Sequence, residues 1–580
     1  MKSFNELKHL LKFDRAGMMP IKVAVLGDTA TQLLAQAIEA MGVQSGFDIS
    51  IFEAGYNMVE QQIIDPNSEL YKFNAEFVII FQSTHKLLER FANTNPQDRI
   101  KMADDRVQFV ENICTSPLLE GKKIIYVNYP EIDDNVFGNY ANKTKESFIY
   151  QVRKLNFLLM NKAEMYSDLF IVDLAALQNQ FGRQWLFTPN IYISTDMVIS
   201  IDALPCLASR ILNVISAIKG MIHKCLILDL DNTLWGGVIG DNGIEGIQLG
   251  HGLGIGKAFT EFQMWVKKLQ QRGIIICVVS KNDETTAKQP FANHPDMVLK
   301  LDDIAVFVAN WNNKVDNIRY IQKILKIGFD SMVFIDDNPF ERNIVRENIE
   351  GITVPELPDD PAEYLEFLYS LNLFETASAS YADNQRTRQY QEEAKRGALQ
   401  KTFKSEEDFL KSLNMVAGVS GFTAFNTPRV AQLSQRSNQF NLRTVRYTDC
   451  EVEALAADKS VIDLAFTLKD RFGDNGLIAV VIMKPLDKTT LFIDTWLMSC
   501  RVLKRGMEDF TLNVMVERAR KAGYKRLIGE YLPTPKNKLV ENHYPSLGFK
   551  HIEQSETARF SLDLNDYNDR KCNITLQNTN

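Results

Sequence analysis

The stretch Lys224-Cys225-Leu226-Ile227-Leu228-Asp229-Leu230-Asp231-Asn232-Thr233-Leu234-Trp235 constrains the fold more than any other part of this chain. It is a short apolar run that ends in two carboxylates one residue apart, with Gly236-Gly237 just beyond. A run of this length bounded by turn residues reads as a buried parallel strand. In open α/β sheets the chemistry sits at the carboxyl ends of the strands. Asp229 is therefore expected at the rim of a sheet, with Asp231 in the loop that follows. An aspartate pair capping a strand-to-helix turn is the plainer alternative, since aspartates form such turns readily.

Three later stretches bear on that choice. Gly273 to Val279 is a second apolar strand, followed by Ser280-Lys281-Asn282-Asp283. Asn312-Asn313-Lys314 opens a helical pattern of Val315, Ile318, Ile321, Ile324 and Leu325, which places Lys314 at a helix start. Ser331 to Ile335 is a third strand and ends at Asp336-Asp337-Asn338-Pro339. Converging carboxylates repel one another unless a cation lies between them, and Mg²⁺ with its preference for oxygen is the expected ion. A carboxylate can attack phosphorus and form an aspartyl-phosphate. A lysine and a hydroxyl can hold the transferring oxygens as charge moves.

The order strand-Asp-x-Asp, strand-Ser, Lys at a helix start, strand-Asp-Asp resembles the haloacid dehalogenase (HAD) superfamily in all four of its motifs. The resemblance implies Asp229 as nucleophile and metal ligand. It implies Asp231 as general acid/base, with its backbone carbonyl on the metal. Ser280 and Lys314 would hold the phosphoryl group, Asp336 would complete the metal site, and Asp337 would stand behind it as a second-sphere group. Cys225 to Gly243, Ser280-Lys281-Asn282, Asn310 to Lys314 and Phe334 to Arg342 are similar to the FkbH-like branch, subclass IIIC, of that superfamily. Members of that branch with an assigned role take a phosphorylated three-carbon acid, lose its phosphate and load the glyceryl group onto an acyl carrier protein thiol.

At 580 residues the chain is too long for one core and is expected to hold about three domains. Its 65 Lys and Arg against 73 Asp and Glu give a net charge of −8, which argues against a nucleic-acid binder. No stretch reaches the ~18 uninterrupted apolar residues of a membrane span, and the first residues lack the apolar core of a signal peptide. A cytoplasmic protein is expected, and the sequence carries no signal of oligomeric state. The seven cysteines include no Cys-x-x-Cys pair, so neither zinc nor a disulfide framework is suggested. Cys225 shares strand parity with Asp229 but lies roughly 13 Å behind it, which suits a core residue better than a thioester.

Residues 1–220 alternate strands and helices and read as a doubly wound parallel sheet. Gly27-Asp28-Thr29 after the first strand resembles the nucleophile turn of the SGNH hydrolases, with Thr29 in place of their serine. Ile191 to Cys206 holds Asp196 and Asp202 but no histidine, so Thr29 lacks a base and a non-hydrolytic domain is expected. His85, Asn128 and Asp173 are candidates to line a pocket there. Residues 221–365 form the HAD-like domain, again doubly wound. Nine glycines from Gly236 to Gly256 suggest a mobile flap, and Trp235 and Trp311 are candidate walls of the site's mouth.

Residues 366–410 read as a charged helical linker, with Arg388, Glu392, Glu393, Lys395 and Arg396 on a solvated helix or on a surface for an acidic carrier protein. Residues 411–564 form a third, α+β domain that resembles the GNAT acyltransferases. Arg501-Val502-Leu503-Lys504-Arg505-Gly506 matches their pyrophosphate turn at Arg501 and Gly506, with Lys504 standing where they have a glycine. A helix start at such a turn suits an anion. The resemblance implies that Arg501, Lys504, Gly506 and Asn537 contact acyl-CoA (acetyl-CoA) or acyl-phosphopantetheine, and that Tyr544 protonates the departing thiolate. Phe560, Leu562 and Leu564 suggest a last strand, and the polar tail 565–580 is expected to fray.

The expected function is a Mg²⁺-dependent phosphoryl and acyl transferase on a glycerate-type phosphorylated acid, coupled to a GNAT acyltransferase. A phosphatase fused to an N-acetyltransferase that modifies a nucleotide-sugar, and a non-enzymatic scaffold, are the alternatives.

Overall fold

The computed structural model describes all residues except Met1, 379–385, Pro535, Lys401, 555–557 and 578–580. The chain packs into two units, 1–218 and 219–580.

The first unit is a five-stranded sheet of β1 (Met19–Gly27), β2 (Phe47–Glu53), β3 (Phe77–Phe81), β4 (Lys123–Val127) and β5 (Leu169–Val172). The order is β2-β1-β3-β4-β5 and every pairing is parallel. Val23, Ala24, Val25 and Leu26 of β1 are all fully buried, so both faces are covered. A parallel sheet needs this cover on both sides, which is why β1 and β3 are nearly continuous apolar runs.

The second unit holds two sheets. The first contains β6 (Cys225–Leu228), β7 (Ile275–Ser280), β8 (Ile304–Ala309) and β9 (Met332–Ile335) in the order β8-β7-β6-β9, all parallel. Leu226 and Leu228 face one apolar cluster with Phe259 and Phe262, whereas Cys225 and Ile227 face another with Ile318 and Phe334. The period of two in a single four-residue strand thus joins two cores. Cys225 and Cys277 are buried as free thiols, with Cys225 Sγ donating weakly to Cys277 Sγ at 3.8 Å, and serve as small core hydrophobes.

The second sheet has eight strands: β10 (Met415–Ser420), β11 (Ile462–Asp470), β12 (Gly473–Pro485), β13 (Thr490–Met498), β14 (Arg526–Tyr531), β15 (Lys550–Gln554), β16 (Ala558–Asp563) and β17 (Ile574–Leu576). Their order is β15-β16-β14-β13-β12-β11-β10-β17. The β13/β14 and β10/β17 pairs are parallel and the rest antiparallel. β13 and β14 pair only from Thr490–Arg526 to Ile493–Gly529 and then part. Phe440 to Leu442 enters the gap: Met498 N–H donates to Phe440 O at 3.1 Å and Leu532 N–H to Leu442 O at 2.9 Å.

Three expectations need correction. The tail does not simply fray, because Ile574–Leu576 pairs with Met415–Ala417 and satisfies the backbone of an edge strand. Phe560 and Leu562 belong to β16, which is therefore not the last strand. The helix Arg386–Gln400 is not a solvated linker. Arg396 is 2% exposed and grips Asp470 at 2.7 and 2.9 Å, while Glu393 pairs with Lys326 at 2.9 Å and with Arg505. Tyr390 packs into the core beneath β6 and β7. Charge along the helix masked its partners, which lie 67 to 112 residues away. Lys401, part of the same charged run, lies outside the described residues.

Candidate functional site

The carboxyl ends of β6, β7 and β9 converge on one point. Asp229 N–H donates to Ile335 O at 3.0 Å, so the residue after β6 is held beside the end of β9 and Asp229 meets Asp336. Asn310 N–H donates to Ser280 O at 3.1 Å and fixes the loop that leads to Lys314. Lys314 is the first residue of the helix Lys314–Leu325, capped by the Asn313 side chain on Asp316 N–H. Its Nζ reaches Asp229 Oδ2 at 2.8 Å and Asp336 Oδ2 at 2.5 Å. All three side chains are buried.

Asp229, Asp336 and Asp337 each offer an oxygen within 4.8 Å of one another. Asp229 Oδ1 is buried without a hydrogen-bond partner. Burial first, and then the charge of Asp229, push the Asp336 carboxyl up to about 7, while Lys314 and the Asn338 N–H pull against them. Burial acts on Lys314 in the opposite sense, but Asp229 and Asp336 outweigh it and hold its ammonium above the ordinary lysine range. One lysine does not balance three carboxylates. The oxygen-only donor set and the partnerless Asp229 Oδ1 fit a hard divalent cation.

Asp231 stands to one side, in a loop whose next residue, Asn232, takes a left-handed conformation (φ 54°). Its Oδ1 accepts from Trp235 Nε1 at 2.9 Å and Ile239 N–H at 3.0 Å, and its Oδ2 accepts from Asn282 Nδ2 at 2.8 Å. Asn282 also reaches Ser280 Oγ at 3.3 Å. Asp337 N–H donates to Thr233 Oγ1 at 3.2 Å. Arg342 Nη1 donates to the carbonyls of Asp336 and Asp337 at 2.9 and 2.6 Å and so holds the loop after β9.

Sequence reasoning gave no role to Trp235 as a donor, to Asn282, Thr233 or Arg342. Asn282 and Arg342 lie inside the motifs themselves, two residues after Ser280 and six after Asp336. Trp235 does not wall the mouth. It is fully buried against Phe291 and spends its indole N–H on Asp231. Trp311 is 77% exposed. The glycine-rich segment is not a loose flap throughout. It carries the helix Ile239–Gly246 and a bridge between Gly236 and Gln248, pinned by Asn232 Oδ1 on Gly237 N–H and Asn242 Oδ1 on Val238 N–H, both at 2.8 Å.

The acyl-transfer residues are arranged less simply. Arg501 is buried in the turn after β13, with Nε on Ser499 Oγ at 3.3 Å and its guanidinium on Gln389. Lys504 adopts the left-handed conformation (φ 61°) that a glycine would take without strain, and Gly506 (φ 82°) caps the helix Met507–Lys521. Asn537 is fully buried and ties backbone together: its Nδ2 donates to Asn441 O and Leu532 O, and its Oδ1 accepts from Thr534 N–H. Both amide hydrogens are therefore used within the chain, against the expected coenzyme contact. Tyr544 packs its ring on Gly529, where β14 leaves β13. Its buried hydroxyl has no partner, and burial raises it above the ordinary tyrosine range. Trp496 Nε1 and His543 Nε2, in the same aromatic cluster, are also buried without partners.

In the first unit, Thr29 Oγ1 is buried without a partner. Asn128 donates to Asp173 at 2.8 Å, and Asp173 caps the helix Leu174–Phe181. His85 borders a cavity of only about 20 Å³, room for little more than one water.

Comparison with known proteins agrees with the parallel-sheet half of this picture. The N-terminal part of the protein BF1531 from Bacteroides fragilis, which contains a phosphatase domain and was crystallised complexed with Mg, is 57% identical. The match covers 65% of this chain and 100% of that one, with a TM-score of 0.64. The chain belongs to the family of BF1531, phosphatase-domain proteins, and its residues 22–216 match the FkbH N-terminal domain.

Other solved structures are similar at a distance. The ribosomal-protein-S18-alanine N-acetyltransferase of Escherichia coli is 14% identical over 26% of this chain and 94% of its own, with a TM-score of 0.21. Salmonella typhimurium yncA, solved with acetyl-CoA, is 12% identical over 27% of this chain and 99% of its own, with a TM-score of 0.20. Likeness at that level carries no weight for the C-terminal domain, whose fold rests on its own sheet order. No curated protein matches. Among the described residues no helix is long and apolar enough to cross a membrane.

Proposed function

We propose that the protein is a Mg²⁺-dependent phosphoryl-transfer enzyme of the HAD type, in the FkbH-like branch. It removes the ester phosphate of a phosphorylated small acid of the glycerate type, and the acyl group of that acid's acyl phosphate passes to a carrier-protein or coenzyme thiol, giving a thioester as inorganic phosphate leaves. The observation that carries the reading is the group of Asp229, Asp336 and the half-buried Asp337 at the ends of β6 and β9 with the buried Lys314 at the helix start beside them. A relative 57% identical, which contains a phosphatase domain, was crystallised complexed with Mg, which supports the choice of ion.

Asp229, Asp336 and Asp337, with the Asp231 backbone carbonyl, would hold the cation. Bound there, Mg²⁺ supplies charge neutralisation for the carboxylates and for the phosphoryl oxygens. Lys314 pairs with Asp229 Oδ2, and one oxygen of the Asp229 carboxylate forms the bond to phosphorus as the bond to the leaving oxygen breaks, while the other would face the cation. Asp231 gives the proton to that oxygen, and later takes one from the water or other acceptor that attacks the aspartyl-phosphate. Trp235, Ile239 and Asn282 orient Asp231 for this, and Ser280 binds the phosphoryl group. Tyr544, whose hydroxyl keeps its proton, is the acid candidate for acyl transfer in the GNAT-like domain.

The test is intact mass spectrometry of a holo acyl carrier protein incubated with the enzyme, Mg²⁺ and 1,3-bisphosphoglycerate. A glyceryl adduct that requires phosphopantetheine and is absent with Asp229→Asn is expected. Phosphate release without an adduct would move the reading to a phosphatase fused to an acetyltransferase.

A further inference from the structure

Strands β7 and β9 lie on opposite sides of β6, each paired with it. Lys281 follows the last residue of β7, and Glu341 is the third residue of the helix Pro339–Asn348 that follows β9. Lys281 Nζ nevertheless meets Glu341 Oε1 at 2.5 Å. Neighbouring strands stand about 4.8 Å apart, so the pair spans roughly 10 Å across the end of β6. Alternation fixes the side on which it crosses. Cys225 and Ile227 of β6, and Cys277 and Val279 of β7, face the cluster that also takes Ile318 and Val345. Asp229 and Lys281 continue those two alternations, so both point to the side where the helices Lys314–Leu325 and Pro339–Asn348 pack. The Lys281–Glu341 pair thus crosses the end of β6 on the side of Asp229.

The other cations of the motif loops are spent. Lys314 is buried on Asp229 and Asp336. Arg342 is buried on the carbonyls of Asp336 and Asp337 and on Glu356. Lys281 differs: its side chain is 41% exposed, while that of Glu341 is 8% exposed. An ammonium carries three N–H donors, and Glu341 Oε1 takes one. The buried carboxylate therefore holds the ammonium in place, and two donors remain for a ligand that enters beside Asp229. A phosphorylated acid has a second set of oxygens at its carboxyl end. With its phosphoryl group at Asp229 and Ser280, that end needs donors of its own.

We propose that Lys281 is a specificity residue, which donates to the carboxyl oxygens of the phosphorylated acid while Glu341 holds its ammonium across the site. This rests on the reading of the site given above and names what selects an acid over an alcohol. A hydrogen bond from an ammonium to a carboxylate is charge-assisted, and one to a neutral hydroxyl is weaker.

Titration calorimetry of the full chain carrying Asp229→Asn, which prevents turnover, compares 3-phosphoglycerate with glycerol 3-phosphate in the presence of Mg²⁺. The two ligands differ at one carbon, a carboxylate against a hydroxymethyl group. The acid is expected to bind about tenfold tighter or more, the worth of one hydrogen bond between charged groups. Lys281→Met alone would leave Glu341 buried and unpaired, so it is made together with Glu341→Gln. With both changes the preference falls to about twofold or less, since no charged donor then faces the acid. Glu341→Gln alone, which keeps an acceptor for Lys281, and Lys281→Arg alone, which keeps the charge, retain the preference. Thermal melting checks that each variant folds. Equal affinity for the two ligands before any change at Lys281, or a preference that survives the double substitution, overturns the proposal and leaves the phosphatase reading standing. Binding of neither ligand overturns the proposal and the choice of a glycerate-type substrate together.

Discussion

The edge of β1 and the edge of β6 begin alike and end differently. Each is a buried parallel strand whose carboxyl end carries an aspartate in a tight loop, Asp28 after β1 and Asp229 after β6. Asp28 accepts Ser83 N–H at 2.8 Å, and burial pushes its carboxyl up to about 6 against the pull of that N–H and of Arg90 and Arg106. Beside it, the Thr29 hydroxyl has no partner, and His85 stacks on Phe187 at 4.2 Å with neither ring nitrogen bonded. Asp229 instead meets a lysine and two further carboxylates brought from β9 and the helix after β8. A strand edge is only a position. Chemistry arises where long-range contacts gather charge that neither water nor a single partner neutralises.

The sharpest test of this contrast is a paired substitution. Asp229→Asn is expected to lower phosphate release by on the order of 10⁴ or more, as loss of a nucleophile does. Thr29→Ala is expected to leave it within twofold. A large loss with Thr29→Ala would break the comparison.

Lys314→Met leaves the buried carboxylates uncompensated. Without Mg²⁺ it is expected to cost about 3–5 kcal/mol of stability in urea unfolding, with part recovered when Mg²⁺ is added. A variant as stable as the parent without Mg²⁺ would show that the carboxylates tolerate one another. Asn282→Leu frees one oxygen of Asp231 and is expected to reduce kcat about 10²-fold with little change in KM. An equal loss in the conservative Asn282→Gln would point to packing instead of proton transfer.

The smallest effect belongs to the first unit. Burial, with Arg183, lowers His85 to about 4 against the pull of Asp196. A folded pKa below the unfolded value of about 6.5 means that the unfolded chain binds more protons between those limits. Stability is therefore full above about pH 6.5 and falls as pH drops toward 4. Discounted for partial exposure, His85 contributes about 1–2 kcal/mol to that slope. His85→Phe should flatten the stability of the first unit across this window. His543, lowered to about 3 by burial, acts in the same sense in the second unit, so the two must be followed by separate probes.

Much of this was legible from one sequence because it is local. The apolar runs at Ile21 to Leu26, Cys225 to Leu228 and Arg526 to Tyr531 are strands, and Asn313 caps the helix that presents Lys314. The run Ile304 to Ala309 carries the same pattern without a motif at its end, and it forms β8. Met415–Ser420 and Ile574–Leu576 gave weaker signals, since edge strands bury little.

The sequence by itself determined the order of elements, the parallel sheets and the four motifs, because periodicity and capping act within a few residues. Only the tertiary structure decided that Trp235 and Asn282 hold Asp231, that Arg396 is buried on Asp470, and that Asn537 is spent on backbone. Apart from the Trp235 bond, these are pairings across 51 to 96 residues. Which charge meets which is set by packing, and no local pattern encodes it.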